Sequence, residues 1–196
     1  MADYYQAHAR EYFEETAHID PSPFLGAFVQ HLPPGARVLD VGCGAGGIMG
    51  WMKANGFDVT GFERSPGLAA LARAHSGCPV IEGDFADADF SSLRVDAILC
   101  CGALVHVPHA QLQGVLANIV RAFCIDSPRP RTLYVSLKQG TGSATDSRGR
   151  TFFFWQDQAL RPVFTGLGFA VTDFLRSPSA DGEGKMWLGY VLVPAK

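Results

Sequence analysis

The chain has 196 residues, 47% hydrophobic and 18% charged, with 14 Phe and a net charge of −3. A length near ~150 residues per domain favours one domain, able to bury roughly 70% of its unfolded surface, and this composition excludes intrinsic disorder. The longest stretch free of Asp, Glu, Lys and Arg, Ala97–Val120, contains His106, Pro108 and His109, so it does not supply the ~20 apolar residues of a membrane span.

Asp3, with Gln6 three positions on, reads as the cap of a first helix that places Tyr5, Ala9, Tyr12 and Phe13 near one face. Asp20-Pro21 breaks it, and Ser22 with Pro23 opens a second helix that ends at Leu32-Pro33-Pro34-Gly35. Strands are expected at Arg37–Val41, Asp58–Phe62, Pro79–Glu82, Val95–Cys100, Thr132–Leu137, Phe169–Leu175 and Met186–Val193. Helices fall between them: after the glycines to about Ala54, from Ser65-Pro66, from about His109 to Phe123, and near Gln156–Leu167. This alternation predicts an α/β, Rossmann-like, doubly wound seven-stranded sheet, mostly parallel, with helices on both faces. The glycine-rich turn Asp181–Gly184 predicts that the last strand runs antiparallel to its neighbour. Residues 1–196 read as one domain, with 1–35 a helical cap on a core of 36–196. Lys138–Arg150 fits no element and reads as a lid or binding loop.

Cys43, Cys78, Cys100, Cys101 and Cys124 are an odd number without metal-ligand spacing, so no metal site is expected, and reduced thiols fit a cytoplasmic protein. The acidic N-terminus (Asp3, Glu11, Glu14, Glu15) lacks the order of a signal peptide. Residues 1–100 carry a net −7 and residues 101–196 a net +4. The basic excess at 126–150 is too thin for a nucleic-acid surface and suits either a solvated loop or an anionic ligand.

The run Val38-Leu39-Asp40-Val41-Gly42-Cys43-Gly44-Ala45-Gly46-Gly47 carries the chemistry. Its glycines suit a dinucleotide turn, but Asp40 would repel a pyrophosphate and favour a ligand bearing an ammonium or sulfonium. Glu63 ends the second strand, where a carboxylate can accept ribose hydroxyls. Gly83-Asp84-Phe85 follows the third, offering an acceptor for an exocyclic amine and an apolar wall.

With those intervals, residues ~36–137 resemble the class I S-adenosylmethionine-dependent methyltransferases, of the small stand-alone bacterial type. The resemblance implies that Gly42, Gly44 and Gly46 hold the methionine portion, with Asp40 ordering the loop. It further assigns Glu63 to the ribose and Asp84 to the adenine amine, flanked by Arg64 and Phe85. Cys43 and Cys101 complete the expected lining for the cofactor and its product, S-adenosylhomocysteine.

Transfer from a sulfonium needs alignment and exclusion of water, and needs a base only where the acceptor must lose a proton. His106, after the fourth strand, is the candidate base or else a structural residue bonded to backbone. Tyr5, Tyr12, His106, Lys138 and Arg150 are the expected acceptor-binding residues, while Trp187 reads as core. The expected acceptor is a small molecule, and the expected state a monomer or weak homodimer without membrane or strong nucleic-acid contact. The other readings are methylation of RNA or a protein side chain, a NAD-dependent oxidoreductase, and a non-catalytic cofactor-binding module.

Overall fold

The computed structural model describes residues 2–126, 128–179 and 185–195. Two helices, α1 (Ala2–Ala7) and α2 (Ala9–Thr16), replace the single opening helix, because the backbone kinks at His8 (φ −115°, ψ 28°). Helix α1 already begins at Ala2, so Asp3 lies within it rather than ahead of it as a cap. Gln6 serves a different helix: its Oε1 accepts from Ser65 Oγ (2.8 Å) and Gly67 N (3.0 Å). In α3 (Ser22–Gln30) Pro21 is the cap position and Ser22 the first helical residue. The Asp20 carboxylate accepts from both the Ser22 amide (2.9 Å) and its hydroxyl (2.8 Å), satisfying an amide that the helix leaves open.

The chain then alternates through β1 (Arg37–Val41), α4 (Gly47–Ala54), β2 (Asp58–Glu63), α5 (Pro66–Ser76), β3 (Val80–Glu82), β4 (Ala97–Cys101) and α6 (Leu112–Ile119). It continues through β5 (Thr132–Lys138), β6 (Ser143–Thr145), β7 (Thr151–Phe153), α7 (Asp157–Gly166), β8 (Phe169–Pro178) and β9 (Met186–Pro194). Seven strands form one sheet in the order β3-β2-β1-β4-β5-β9-β8. β9 is antiparallel to both neighbours, and the other pairings are parallel, as the alternation predicts. The expected turn at 181–184 lies outside the described residues.

Side-chain alternation sends Leu39 and Val41 of β1 into one core, with Leu112 and Leu116 of α6 and Phe164 of α7. Val38 points the other way, into a second core with Leu25 and Phe28 of α3 and Met49 and Met52 of α4. Asp40 shares the second face, and it is 3% exposed. At the opposite end of the sheet, buried Asp96 is clasped by Arg37 (2.8 Å) and Arg129 (3.3 Å).

Lys138–Arg150 is not structureless. Lys138 closes β5, and β6 pairs antiparallel with β7 in a small hairpin, Ser143 opposite Phe153 and Thr145 opposite Thr151. Asp146 closes its tip by accepting from the amides of Arg148 (3.0 Å) and Arg150 (2.9 Å). Three-residue strands are too short to show alternation, which is why the glycines and serines around them dominate the sequence pattern.

Candidate active site

The carboxyl ends of β1, β2 and β4 meet where the strand order reverses, the place where open α/β sheets bind ligands. The loop after β1 is left-handed at Gly44 (φ 53°) and Gly46 (φ 77°), conformations open to glycine at no steric cost. Space is equally restrictive: a Cβ on Gly46 would sit 2.9 Å from the Ala72 backbone, and one on Gly44 would sit 3.2 Å from the Tyr12 ring. Glu63 fixes this loop, its two oxygens accepting from Gly44 N (3.0 Å) and Ser65 N (2.8 Å). A carboxylate offers about four lone-pair sites, so these bonds leave capacity for ligand hydroxyls.

Two adjoining cavities open above this floor, one of about 290 Å³ and one of about 570 Å³. The smaller is lined by Glu63, Arg64, Asp84 and Phe85, bringing together the four residues expected around ribose and adenine. Asp84 is already engaged: Oδ2 accepts from Arg64 (2.6 Å) and Oδ1 from the Ala86 amide (2.9 Å). The larger cavity reaches Asp40, Cys43, Lys138 and Arg150. Gly42, Gly44, Cys101, Tyr5 and Tyr12 line both, so the cavities meet between these side chains. Gly46 lines neither cavity. It caps α4 and packs against Ala72.

Asp40 Oδ2 is buried without a hydrogen-bond partner. Burial, helped by the nearby Glu63 charge, raises its pKa to about 7. A cationic group arriving beside it would restore the charged form, and that is a binding contribution the pyrophosphate of a dinucleotide cannot make. Cys101 is no nucleophile here: burial pushes its thiol up to about 12. Its Sγ instead accepts from Ser136 Oγ (3.6 Å), which accepts in turn from Gly102 N (3.0 Å).

The roof comes from α1, α2 and the β6–β7 hairpin. Tyr5 Oη lies 2.8 Å from His106 Nε2, and His106 Nδ1 lies 2.6 Å from the Thr151 carbonyl oxygen. A carbonyl can only accept, so Nδ1 carries the proton and Nε2 accepts from the tyrosine hydroxyl. Burial lowers the His106 pKa, and the charges of Arg150 and Lys138 act the same way, so the ring is neutral at pH 7. His106 lines the smaller cavity and not the larger one. Across the outside of the roof, Arg148 donates to both Glu15 oxygens (2.8 and 3.1 Å) and to Tyr4 Oη (2.9 Å). Arg150 pairs with Asp146 (2.7 Å) and lies 4.9 Å from the Tyr4 ring centre.

Trp187 is not core. It is half-buried on β9 and lines the larger cavity with Phe152 and Phe24. Lys138 Nζ stands 4.0 Å from the Phe152 ring centre and 5.5 Å from that of Trp187. Ser136 and Trp187 are among the lining residues that sequence reasoning missed, and the register opposing Lys138 to Trp187 and Ser136 to Gly189 is visible only in the folded sheet.

Residues 38–124 match the family model described as a methyltransferase domain. Among curated relatives, the 24-methylenesterol C-methyltransferase 2 of Oryza sativa subsp. japonica is 36% identical over 118 residues, covering 56% of this chain and 31% of its own. The ubiquinone biosynthesis O-methyltransferase of Xanthomonas campestris pv. campestris (strain B100) is 38% identical over 118 residues, 57% of this chain and 46% of its own. The chain thus spans less than half the length of these relatives. The fold matches that of the 1,6-didemethyltoxoflavin-N1-methyltransferase of Burkholderia thailandensis, solved with 1,6-didemethyltoxoflavin and S-adenosylhomocysteine. Its TM-score is 0.75 at 20% identity, over 99% of this chain and 85% of that one. The magnesium protoporphyrin IX methyltransferase of Synechocystis PCC 6803 with bound S-adenosylhomocysteine also matches with a TM-score of 0.75, at 14% identity over 99% and 98% of the two chains.

Proposed function

We propose that this chain is an enzyme that uses S-adenosylmethionine to methylate a small-molecule acceptor, releasing S-adenosylhomocysteine. The single observation that carries this reading is the buried Asp40, its Oδ2 without a partner, facing the larger cavity beside the left-handed glycine loop where the two cavities meet. The bound cofactor supplies an electrophilic methyl on a sulfonium. Asp40 faces the cationic methionine end, the loop amides hold it, Glu63 accepts from the ribose hydroxyls, and Arg64, Asp84 and Phe85 border the adenine. Tyr5, Tyr12, Lys138 and Arg150 border the acceptor in the larger cavity. The roof excludes water while alignment lowers the barrier, an effect worth ~7–11 kcal/mol when complete.

A small acceptor is supported by the size of the larger cavity, about 570 Å³, and by the absence of a broad basic surface. The neighbouring toxoflavin enzyme also acts on a small molecule. Residues 1–196 act in this reading as one domain, with 1–35 as its cap, in a reducing cytoplasm and as a monomer or weak homodimer. All five cysteines are free, and no helix among the described residues is long and apolar enough to cross a membrane.

Calorimetry with S-adenosylmethionine, S-adenosylhomocysteine and NAD tests the reading. Binding of the first two is expected, and a preference for NAD overturns it. Glu63→Ala should weaken S-adenosylhomocysteine by about 1–3 kcal/mol, roughly 5- to 150-fold, by leaving ribose hydroxyls and the Gly44 amide without an acceptor. Unchanged affinity removes Glu63 from the ribose site.

A further inference from the structure

We propose that Tyr5, rather than His106, takes the proton of the acceptor, that His106 stands behind it as the destination of that proton, and that the acceptor hydroxyl is phenolic or enolic. The inference rests on the methyl-transfer reading above and adds the acceptor class and the proton path. Position decides between the two residues. Tyr5 lines both cavities and therefore stands where donor and acceptor would meet, whereas His106 lines only the cofactor side. The imidazole is enclosed on its other sides, with the Phe152 ring centre 4.7 Å away and the Thr151 carbonyl on Nδ1.

The hydrogen-bond direction prepares the transfer. Tyr5 Oη donates to His106 Nε2, and its two lone pairs face the Arg150 guanidinium and a hydroxyl entering the cavity. The acceptor O–H bond breaks toward Tyr5 Oη as the Tyr5 O–H bond breaks toward Nε2. The acceptor oxygen uses the pair of its broken O–H bond for the new O–CH3 bond as the methyl–sulfur bond breaks and leaves its pair on sulfur. Tyr5 ends neutral as it began, and His106 ends as an imidazolium that gives its proton to water once the products leave. Tyr5 is thus the catalytic residue and His106 a positioning residue that acts through it.

The neighbours set the resting state and limit the stay of the proton. Burial, Arg150 and Lys138 disfavour the His106 imidazolium while the Thr151 carbonyl and Asp146 favour it, so the ring starts neutral and holds the proton only until products leave. Around Tyr5, burial and the Glu63 charge favour the neutral phenol over its anion, with Arg150 opposing them. The acceptor class follows from acidity. The proton ends on an imidazole, whose conjugate acid is far stronger than any alcohol, so the relay favours the more acidic phenolic or enolic hydroxyls over an aliphatic alcohol. An amine attacks through its lone pair and needs no proton removed beforehand. The aromatic faces of Tyr12 and Phe152 beside Tyr5 suit a flat, phenol-like ring.

The test uses p-nitrophenol, whose phenolate is coloured, with the full chain saturated in S-adenosylhomocysteine, which has no methyl to transfer. In wild type the bound probe should ionise at lower pH than in buffer, the phenolate fraction rising about threefold, half a pKa unit, on the acidic limb. Tyr5→Phe removes the relaying oxygen and should abolish the shift. His106→Gln can keep both hydrogen bonds but cannot take a proton, so at saturating S-adenosylhomocysteine it too should abolish the shift. A shift that survives in Tyr5→Phe, or a wild-type probe that titrates as in buffer, overturns the relay. Failure of wild type to bind S-adenosylhomocysteine is a separate result, and it overturns the methyl-transfer reading and the relay with it.

Discussion

The floor and the roof of the site are held by different physics. The floor is held through backbone: Glu63 bonds the Gly44 amide of the loop after β1 and the Ser65 amide ahead of α5, and the glycines pack closely on Ala72, Ala17 and Ala103, of which Ala72 and Ala17 are buried. The roof is held largely by side chains, the exposed Arg148 against Glu15 and Tyr4 and the half-buried Arg150 against Asp146. Buried backbone contacts resist displacement because every lost bond leaves an unsatisfied group, while solvated ion pairs exchange with water at little cost. The site therefore joins a rigid cofactor cradle to a cover that can open without unfolding it.

The sharpest way to break this contrast is at the floor. Gly46→Val imposes a strained φ and a 2.9 Å approach to the Ala72 backbone. It should cost about 3 kcal/mol, lowering Tm by roughly 6–12 °C in thermal denaturation. An unchanged Tm would mean that the floor repacks as readily as the roof.

Asp40→Asn separates stability from binding. The folded-state pKa near 7 lies above that of an unfolded Asp, so the native state holds the extra proton between about pH 4 and 7. Wild-type stability from this group falls as pH rises through that window and stays low above it. The Asn variant should be as stable as wild type near pH 4 and more stable at pH 8 by urea denaturation. Its affinity for S-adenosylmethionine should drop roughly 10- to 100-fold through loss of a charged partner. A parallel shift of the two stability curves would contradict the raised pKa.

The smallest thermodynamic effect is expected at the roof. Arg148→Ala should move Tm by less than about 2 °C, since its partners are solvated. Amide exchange of α2 and the β6–β7 hairpin should nevertheless accelerate, because the link between them is gone. Unchanged exchange there would show that Tyr5 and His106 alone fasten the roof.

The same division governs what the amino-acid order reveals. The sheet and its carboxyl-end residues are legible because buried parallel strands read as continuous apolar runs, and Gly42–Gly47, Glu63 and Asp84 follow them at fixed intervals. The roof is much less legible. The hairpin strands are too short for a period, the cap of α3 is helped by Asp20, and Gln6 from another helix adds a bond to the first turn of α5 beyond the Ser65 cap. Trp187 has the composition of a core strand, and only its register beside Lys138 turns it toward the cavity. Likewise, nothing local in the sequence pairs Tyr5 with His106, 101 positions apart.

That distance has a consequence for how the molecule is made. Arg148 and Glu15 are separated by 133 positions, and the first five strands of the sheet lie between them. Contacts of such span form late, after the nearer ones have shortened the effective loop. During synthesis the N-terminal helices emerge before the hairpin that fastens them, so they wait without their partner while the strands assemble. The compartment can close only after the hairpin has emerged, and a chain arrested before residue 146 would lack that hairpin as well as β8 and β9.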